Sequence, residues 1–243
     1  MVTNEKPILS FQNVDYSIHD THILKNISGA FYENKITTLV GPSGSGKTTL
    51  LKLCNGLISP TSGIITYKDK PIHSHEPTEL RREIGMAIQN APMISGKVCD
   101  NLCLPRELKG DMLSKEEAIR YLEDVGLDGD FLNHKINDLS GGQRQRVSIA
   151  RTLVNHSSIL LLDEITSALD RTSREEIEKL IIKLNRQSGV TIIWITHNIE
   201  QALSIGDHVW VLVRGELIEA GDSHLLETST NQLVRQFVEG DLK

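Results

Sequence analysis

ITTLVGPSGSGKTTLLKLC, Ile36 to Cys54, changes rhythm at its centre. Ile36–Val40 is a short β-rich run, and from Lys47 the apolar positions resume at helical spacing. Between them GPSGSGKT, Gly41 to Thr48, fits G-x-x-x-x-G-K-[ST], in the strand–loop–helix context that this pattern requires. Glycines at 41, 44 and 46 let the backbone wrap closely, so that successive N–H groups point at the β- and γ-phosphates of a nucleotide. The positive end of the following helix adds to the attraction. Lys47 is expected to neutralise phosphate charge, and the Thr48 hydroxyl to ligate Mg²⁺. The bland alternative is a Gly/Ser turn with a chance lysine, and the flanking strand and helix weigh against it.

Outward from this loop, apolar strand-like runs alternate with helical patterns, which predicts an α/β fold with a largely parallel sheet. SILLLDE (Ser158–Glu164) and VTIIWITH (Val190–His197) are near-continuous apolar runs, as expected of strands covered on both faces. Between them Ser173 and Glu176 are spaced as a capping box, ahead of a stripe at Ile177, Leu180, Ile181 and Leu184. HVWVLVRGELIEAG reads as an antiparallel hairpin turning near Gly215, and TNQLVRQFVEG as one closing helix. Residues 91–150 hold no strong strand; SKEEAIRYLEDVGL carries a capping box (Ser114, Glu117) and a stripe at Ala118, Tyr121, Leu122 and Val125. The expectation is one domain, 1–243: an α/β core with a β subdomain (1–90 and 151–243) and an inserted helical subdomain (91–150).

Composition narrows the function. A net charge of −6 argues against nucleic acid as the main partner, because phosphate-backbone binding needs a basic face. No run reaches the roughly 18–20 apolar residues that span a bilayer. MVTNEKPILS lacks a basic-then-apolar signal pattern, so the expected location is the cytoplasm. Cys54, Cys99 and Cys103 are too few for a disulfide framework. Cys99 and Cys103 could share a helix face, and ordinary reduced thiols are favoured over a metal site there. His73 and His75 flank Ser74 in a polar stretch where solvated loop histidines are commoner than metal ligands.

ILLLDE ends a buried strand with Asp163 and Glu164. Taken alone, two acids there could simply cap the strand. With a phosphate loop in the chain, Asp163 is placed to hold Mg²⁺, and Glu164 to orient and deprotonate an attacking water. His197, at the carboxyl end of another strand-like run, lies on the edge where parallel sheets bind ligands and is expected at the γ-phosphate. LSGGQRQR, Leu139 to Arg146, is a second polar turn feeding a helix: the Ser140 hydroxyl and the N–H groups near Gly141 and Gly142 suit a terminal phosphate. A plain Ser-Gly helix cap is the alternative.

In this order, GPSGSGKT, Gln89, LSGGQRQR, ILLLDE, SALD (Ser167–Asp170) and His197 resemble an ATP-binding-cassette ATPase over nearly the whole chain. LSGGQ is the specific element, because generic phosphate-loop proteins lack it. The resemblance implies a nucleoside-triphosphatase core, the cofactors ATP and Mg²⁺, and a head-to-tail pair of identical subunits with two ATP molecules between them. It implies that Gly41, Pro42, Ser43, Gly44, Ser45, Gly46, Lys47, Thr48 and Thr49 hold one nucleotide, while Ser140, Gly141, Gly142 and Gln143 hold the partner's. Gln89 then matches the glutamine that senses Mg²⁺ and the attacking water, Asp170 the loop aspartate that communicates across the dimer, and Tyr16 the aromatic that stacks on adenine. Phe11 is near Tyr16, and a strand aromatic is more often core.

The resemblance departs at Ile165, where most members have Pro after the catalytic Glu; the change frees one φ angle and removes no catalytic group. DEITSALD is similar to a small bacterial subgroup that partners FetB-like iron-export permeases, whereas THNIEQA and GELIEAGD are similar to phosphate-import ATPases. Either way the implied partner is a separate integral membrane permease, with this chain peripheral on the inner face of the membrane. Two rival readings stay open. A soluble family member in translation or DNA repair would normally carry two cassettes or a long coiled coil, and a small-molecule kinase would have no use for LSGGQ.

Overall fold

In the computed structural model, which describes residues 5–89 and 92–242, two long antiparallel strands come first, β1 (Pro7–Ile18) and β2 (Thr21–Tyr32). β3 (Ile36–Val40) leads into α1 (Lys47–Cys54); β4 (Ser62–Tyr67) and β5 (Lys70–Pro71) then complete a four-stranded antiparallel sheet of order β2-β1-β4-β5. After α2 (Pro77–Glu83) and β6 (Ile84–Ile88) come three helices, α3 (Val98–Glu107), α4 (Lys115–Asp124) and α5 (Gly141–Leu153). β7 (Ile159–Asp163), α6 (Arg171–Ser188), β8 (Thr191–Ile195) and α7 (Ile199–Ile205) follow. The hairpin β9 (His208–Val213) and β10 (Glu216–Asp222) precedes α8 (Leu225–Thr228) and α9 (Gln232–Glu239). The second sheet has the order β10-β9-β3-β8-β7-β6; only β10 runs antiparallel to its neighbour.

The unbroken apolar runs are explained by how the strands divide their side chains. Leu160 and Leu162 of β7 and Ile192 and Trp194 of β8 enter a core shared with α4, α5 and α6. Ile159, Leu161, Ile193 and Ile195, on the opposite pleat, enter a core shared with α1 and the antiparallel sheet. Withdrawing one such side chain from water contributes about 1.5–3 kcal/mol, which matches or exceeds the roughly 1–2 kcal/mol needed to order its backbone. The central strands are therefore fixed from both faces.

The helical insertion follows its predicted pattern. Ser114 Oγ accepts from Glu117 N (3.1 Å) and Glu117 Oε2 from Ser114 N (3.0 Å), so the expected capping box starts α4. Ala118, Leu122 and Val125 are buried, while Tyr121 stays half-buried. Cys99 and Cys103 do share a face of α3, with their sulfurs 3.7 Å apart. Among the described residues no group of three or more His, Cys, Asp or Glu could hold a metal, the His73–His75 stretch included. No described helix is long and apolar enough to cross a membrane.

The capping box assigned to Ser173 and Glu176 is corrected by the structure. The cap of α6 is Asp170, whose carboxylate accepts from Ser173 N (3.0 Å) and from Ser173 Oγ (2.7 Å), so the helix begins three residues earlier. A carboxylate at the positive end of the helix satisfies an orphan N–H and gains from its dipole. Glu176 instead receives a hydrogen bond from Arg146 of α5 (2.6 Å).

Candidate nucleotide-hydrolysis site

Register brings the motif residues to one edge. Leu39 of β3 pairs with Ile195 of β8, and Ile195 with Asp163 of β7, so the chain leaves all three strands at the same level. Ile88 of β6 pairs with Asp163 as well, which puts Gln89 just past that level. This is the carboxyl edge of a parallel sheet, the place where such folds bind ligands.

The loop after β3 is built around two glycines at which any side chain would be strained. A Cβ on Gly41 (φ +144°) would stand 1.9 Å from the Leu212 carbonyl oxygen; on Gly46 (φ +97°) it would meet Leu24 Cδ2 at 2.7 Å. Gly46 caps α1, and the first helical bond runs from Leu50 N to Gly46 O (2.9 Å). The N–H groups of Lys47, Thr48 and Thr49 therefore have no partner within the helix and remain available to an anion. Lys47 is only 5% exposed; its ammonium donates to the carbonyls of Gly41 and Pro42, both at 2.8 Å. Burial pushes its pKa down to about 8, against the pull of the Glu164 and Asp163 carboxylates. The loop is a preformed cradle whose one cation is folded back onto it.

Opposite the loop stand the acids. Thr48 Oγ1 donates to Asp163 Oδ1 (3.3 Å), which brings a hydroxyl and a carboxylate together at the start of α1. Burial, and secondarily the neighbouring Glu164 charge, raise the Asp163 pKa, while the Thr48 hydrogen bond lowers it. A half-buried carboxylate facing a hydroxyl is the hard-oxygen donor set that Mg²⁺ takes beside a nucleotide, so these residues fit that ion. Glu164 adopts a left-handed backbone (φ +50°), uncommon for a residue with a Cβ, and its side chain meets His197: Glu164 Oε1 and His197 Nε2 are 2.6 Å apart. Ser43 to Thr49, Glu164 and His197 line one cleft of about 230 Å³. Ile23 of β2 also lines it. No motif marks Ile23; the β1–β2 pairing carries it there.

Three predicted residues lie elsewhere. Gln89 is exposed and shares a different cleft, about 300 Å³, with Gly141, Arg144, Ile165 and Leu169. Tyr16 is half-buried on β1, paired with Leu24 and packed on the core under the antiparallel sheet, outside the lining of the phosphate-loop cleft. Asp170 is occupied as the cap of α6. Ser140 caps α5 in a reciprocal box: its hydroxyl accepts from Gln143 N (3.2 Å) and Gln143 Oε1 from Ser140 N (2.9 Å). Ser140 and Gly141 are exposed, so the turn is both a helix cap and an open helix N-terminus. Ile165 is 2% exposed and belongs to the core shared with the helices.

The family pattern described as ABC transporter matches residues 24–167, more than half of the chain. The chain belongs to the ABC transporter family. ATP hydrolysis is the activity that this membership carries. YjkB of Bacillus subtilis (strain 168), named among ABC transporter ATP-binding proteins, is 40% identical over 98% of this chain and 96% of its own length. ABC transporter I family member 17 of Arabidopsis thaliana is 37% identical over 90% of this chain and 83% of its own. The structure of cbiO1 from Clostridium perfringens, part of the ABC transporter complex cbiONQ, superposes with a TM-score of 0.82 at 29% identity, over 98% of this chain and 100% of that one. The dimeric ATP-binding cassette MJ0796 bound to ADP and Pi gives 0.78 at 34% identity, over 88% and 98%.

Proposed function

We propose that this ABC subunit is a transport motor: two copies pair head to tail on ATP, hydrolyse it, and drive a separate membrane permease from its cytoplasmic face. The observation that carries this reading is the separation of the two phosphate-type turns. The phosphate loop and the start of α5 line different clefts of one chain, so the second turn is free to complete a partner's site. The dimeric state of MJ0796 and the membership of cbiO1 in the cbiONQ complex support the pairing and the permease.

In this mechanism Lys47 leaves the Gly41 and Pro42 carbonyls for the phosphates. Thr48 and Asp163 would hold Mg²⁺, which supplies neutralisation of phosphate charge. Glu164 orients the attacking water and takes its proton, while His197 holds Glu164 and reaches the γ-phosphate. From the partner, the Ser140 hydroxyl and the N–H groups at Gly141 and Gly142 close over the same phosphate. The chain divides into an α/β core (1–90, 151–243) and a helical subdomain (91–150), and the latter, with the segment after Gln89, forms the permease groove. The cargo is a metal such as iron, exported, by the DEITSALD echo; phosphate import is the reading favoured by THNIEQA and GELIEAGD.

Isolation of the native protein from gently solubilised membranes tests the assignment. A stoichiometric polytopic partner, identified by mass spectrometry, is expected, and its identity separates metal export from phosphate import. A protein that stays wholly soluble, alone or with ribosomes or DNA, would remove the transport reading. The head-to-tail geometry has its own test. Ser140→Ala is expected to lower turnover roughly 10–10²-fold with ATP binding retained. Mixing it with Lys47→Ala chains should raise hydrolysis above that of either variant alone, at the one composite site that keeps both groups. No restoration would separate Ser140 from the partner's nucleotide.

A further inference from the structure

The segments that carry Glu164 and His197 are joined at one more place. Thr166 lies two residues beyond Glu164 and Gln201 four beyond His197, and both are buried, at 5% and 3% exposure. Gln201 Nε2 donates to Glu178 Oε1 on α6 (2.6 Å) and to the Thr166 hydroxyl (3.3 Å). A carboxylate only accepts, so Glu178 dictates which end of the amide faces it. The other end, Gln201 Oε1, is buried without a donor. Leaving a buried carbonyl unsatisfied is unfavourable, and a leucine of similar size would avoid it, so packing alone does not account for glutamine here.

The surroundings give the bridge its purpose. Gln201 N donates to Asn198 Oδ1 (3.1 Å) and Asn198 N to Thr196 Oγ1 (3.0 Å), which stitches the start of α7 to the end of β8 around His197. On the far side of the Glu164–His197 pair lies a second cavity of about 560 Å³, lined by both of them and by Thr166, Arg174 and Gln201. The pair therefore borders two open spaces at once. The Gln201 amide is the side-chain connection that crosses from the helix after His197 to the loop after Glu164.

We propose that Gln201 is a positioning residue: its bridge to Thr166 and Glu178 sets the separation of Glu164 from His197, and so aims the base at the attacking water. The proposal rests on the reading of Glu164 as that base. Turnover, KM for ATP and thermal midpoint of the full chain are to be measured for Gln201→Leu, Gln201→Glu, the double variant Gln201→Glu/Glu178→Gln, and Glu164→Gln. Losing the bridge is expected to lower kcat about tenfold in each single Gln201 variant with KM unchanged, since a small misplacement of a catalytic group acts on the transition state alone. In the double variant one amide again faces one carboxylate, and the Thr166 hydroxyl donates where it had accepted. Its kcat should return to within about twofold of wild type, a recovery that mere loss of packing would not show.

Wild-type kcat in both single Gln201 variants, or a double variant as slow as Gln201→Glu, would overturn the proposal. If Glu164→Gln is inactive while Gln201→Leu turns over normally, the bridge fails and the base stands. Normal turnover by Glu164→Gln would remove the base itself.

Discussion

Glu164→Gln is expected to bind ATP as the wild type does, to lose roughly 10²–10⁴ in hydrolysis, and to accumulate as an ATP-bound dimer. The substitution keeps the shape of the side chain and removes its basicity. Glu164 lies 2.6 Å from His197 Nε2 and shares the phosphate-loop cleft, and among the described residues no hydrogen bond or ion pair joins it to Lys47, Thr48 or Asp163, on which it acts only through its charge. Its removal should therefore leave the ground state intact and act only where a proton must be taken. A chain that closes on ATP and cannot cleave it stays closed. Turnover, nucleotide affinity and elution volume with and without ATP measure the three parts. Hydrolysis at the wild-type rate would remove Glu164 as the base, whatever the dimer does.

Lys47→Ala should fail earlier, at binding. The Lys47 ammonium is the one cation placed inside the cradle, and it is held ready by two carbonyls at 2.8 Å. Its burial already makes the charge unfavourable, as the pKa of about 8 records, so an arriving polyphosphate gains a poorly solvated cation. Charge-assisted hydrogen bonds contribute about 1.5–3 kcal/mol each, so the loss of one corresponds to roughly 10–10²-fold in affinity. Lys47→Arg is not a rescue, because a planar guanidinium does not fit a slot that leaves the native side chain 5% exposed. Calorimetric titration with ATP reads the effect. Unchanged affinity would undermine the phosphate-loop assignment.

Much of this molecule is local in the chain. GPSGSGKT is legible from its flanking strand and helix, and Gly41 and Gly46 adopt the positive φ angles that only glycine takes up readily. Ser114 and Glu117 pair as spaced, and the β9–β10 hairpin turns at Arg214 and Gly215, both left-handed, because such contacts involve neighbours a few residues apart. Asp170 and Ser173 are both competent caps, three residues apart, and the choice depends on where the loop from Glu164 delivers the chain.

By itself, then, the amino-acid order determined the strand–loop–helix cradle, the α/β class, the helical insertion and the choice of Lys47, Thr48, Asp163 and Glu164 as the residues on which the proposed chemistry rests. Only the tertiary structure decided the strand order β10-β9-β3-β8-β7-β6, the placing of Gln89 in a cleft with the start of α5, the packing of Tyr16 on the core beneath the antiparallel sheet, and the bridge from Gln201 to Thr166 and Glu178. The reason is physical. Turn and cap geometry is set by steric and hydrogen-bonding limits over three or four residues, whereas a contact between residues 35 positions apart, such as Thr166 and Gln201, exists only because two buried strands and the helices on them pack in one register.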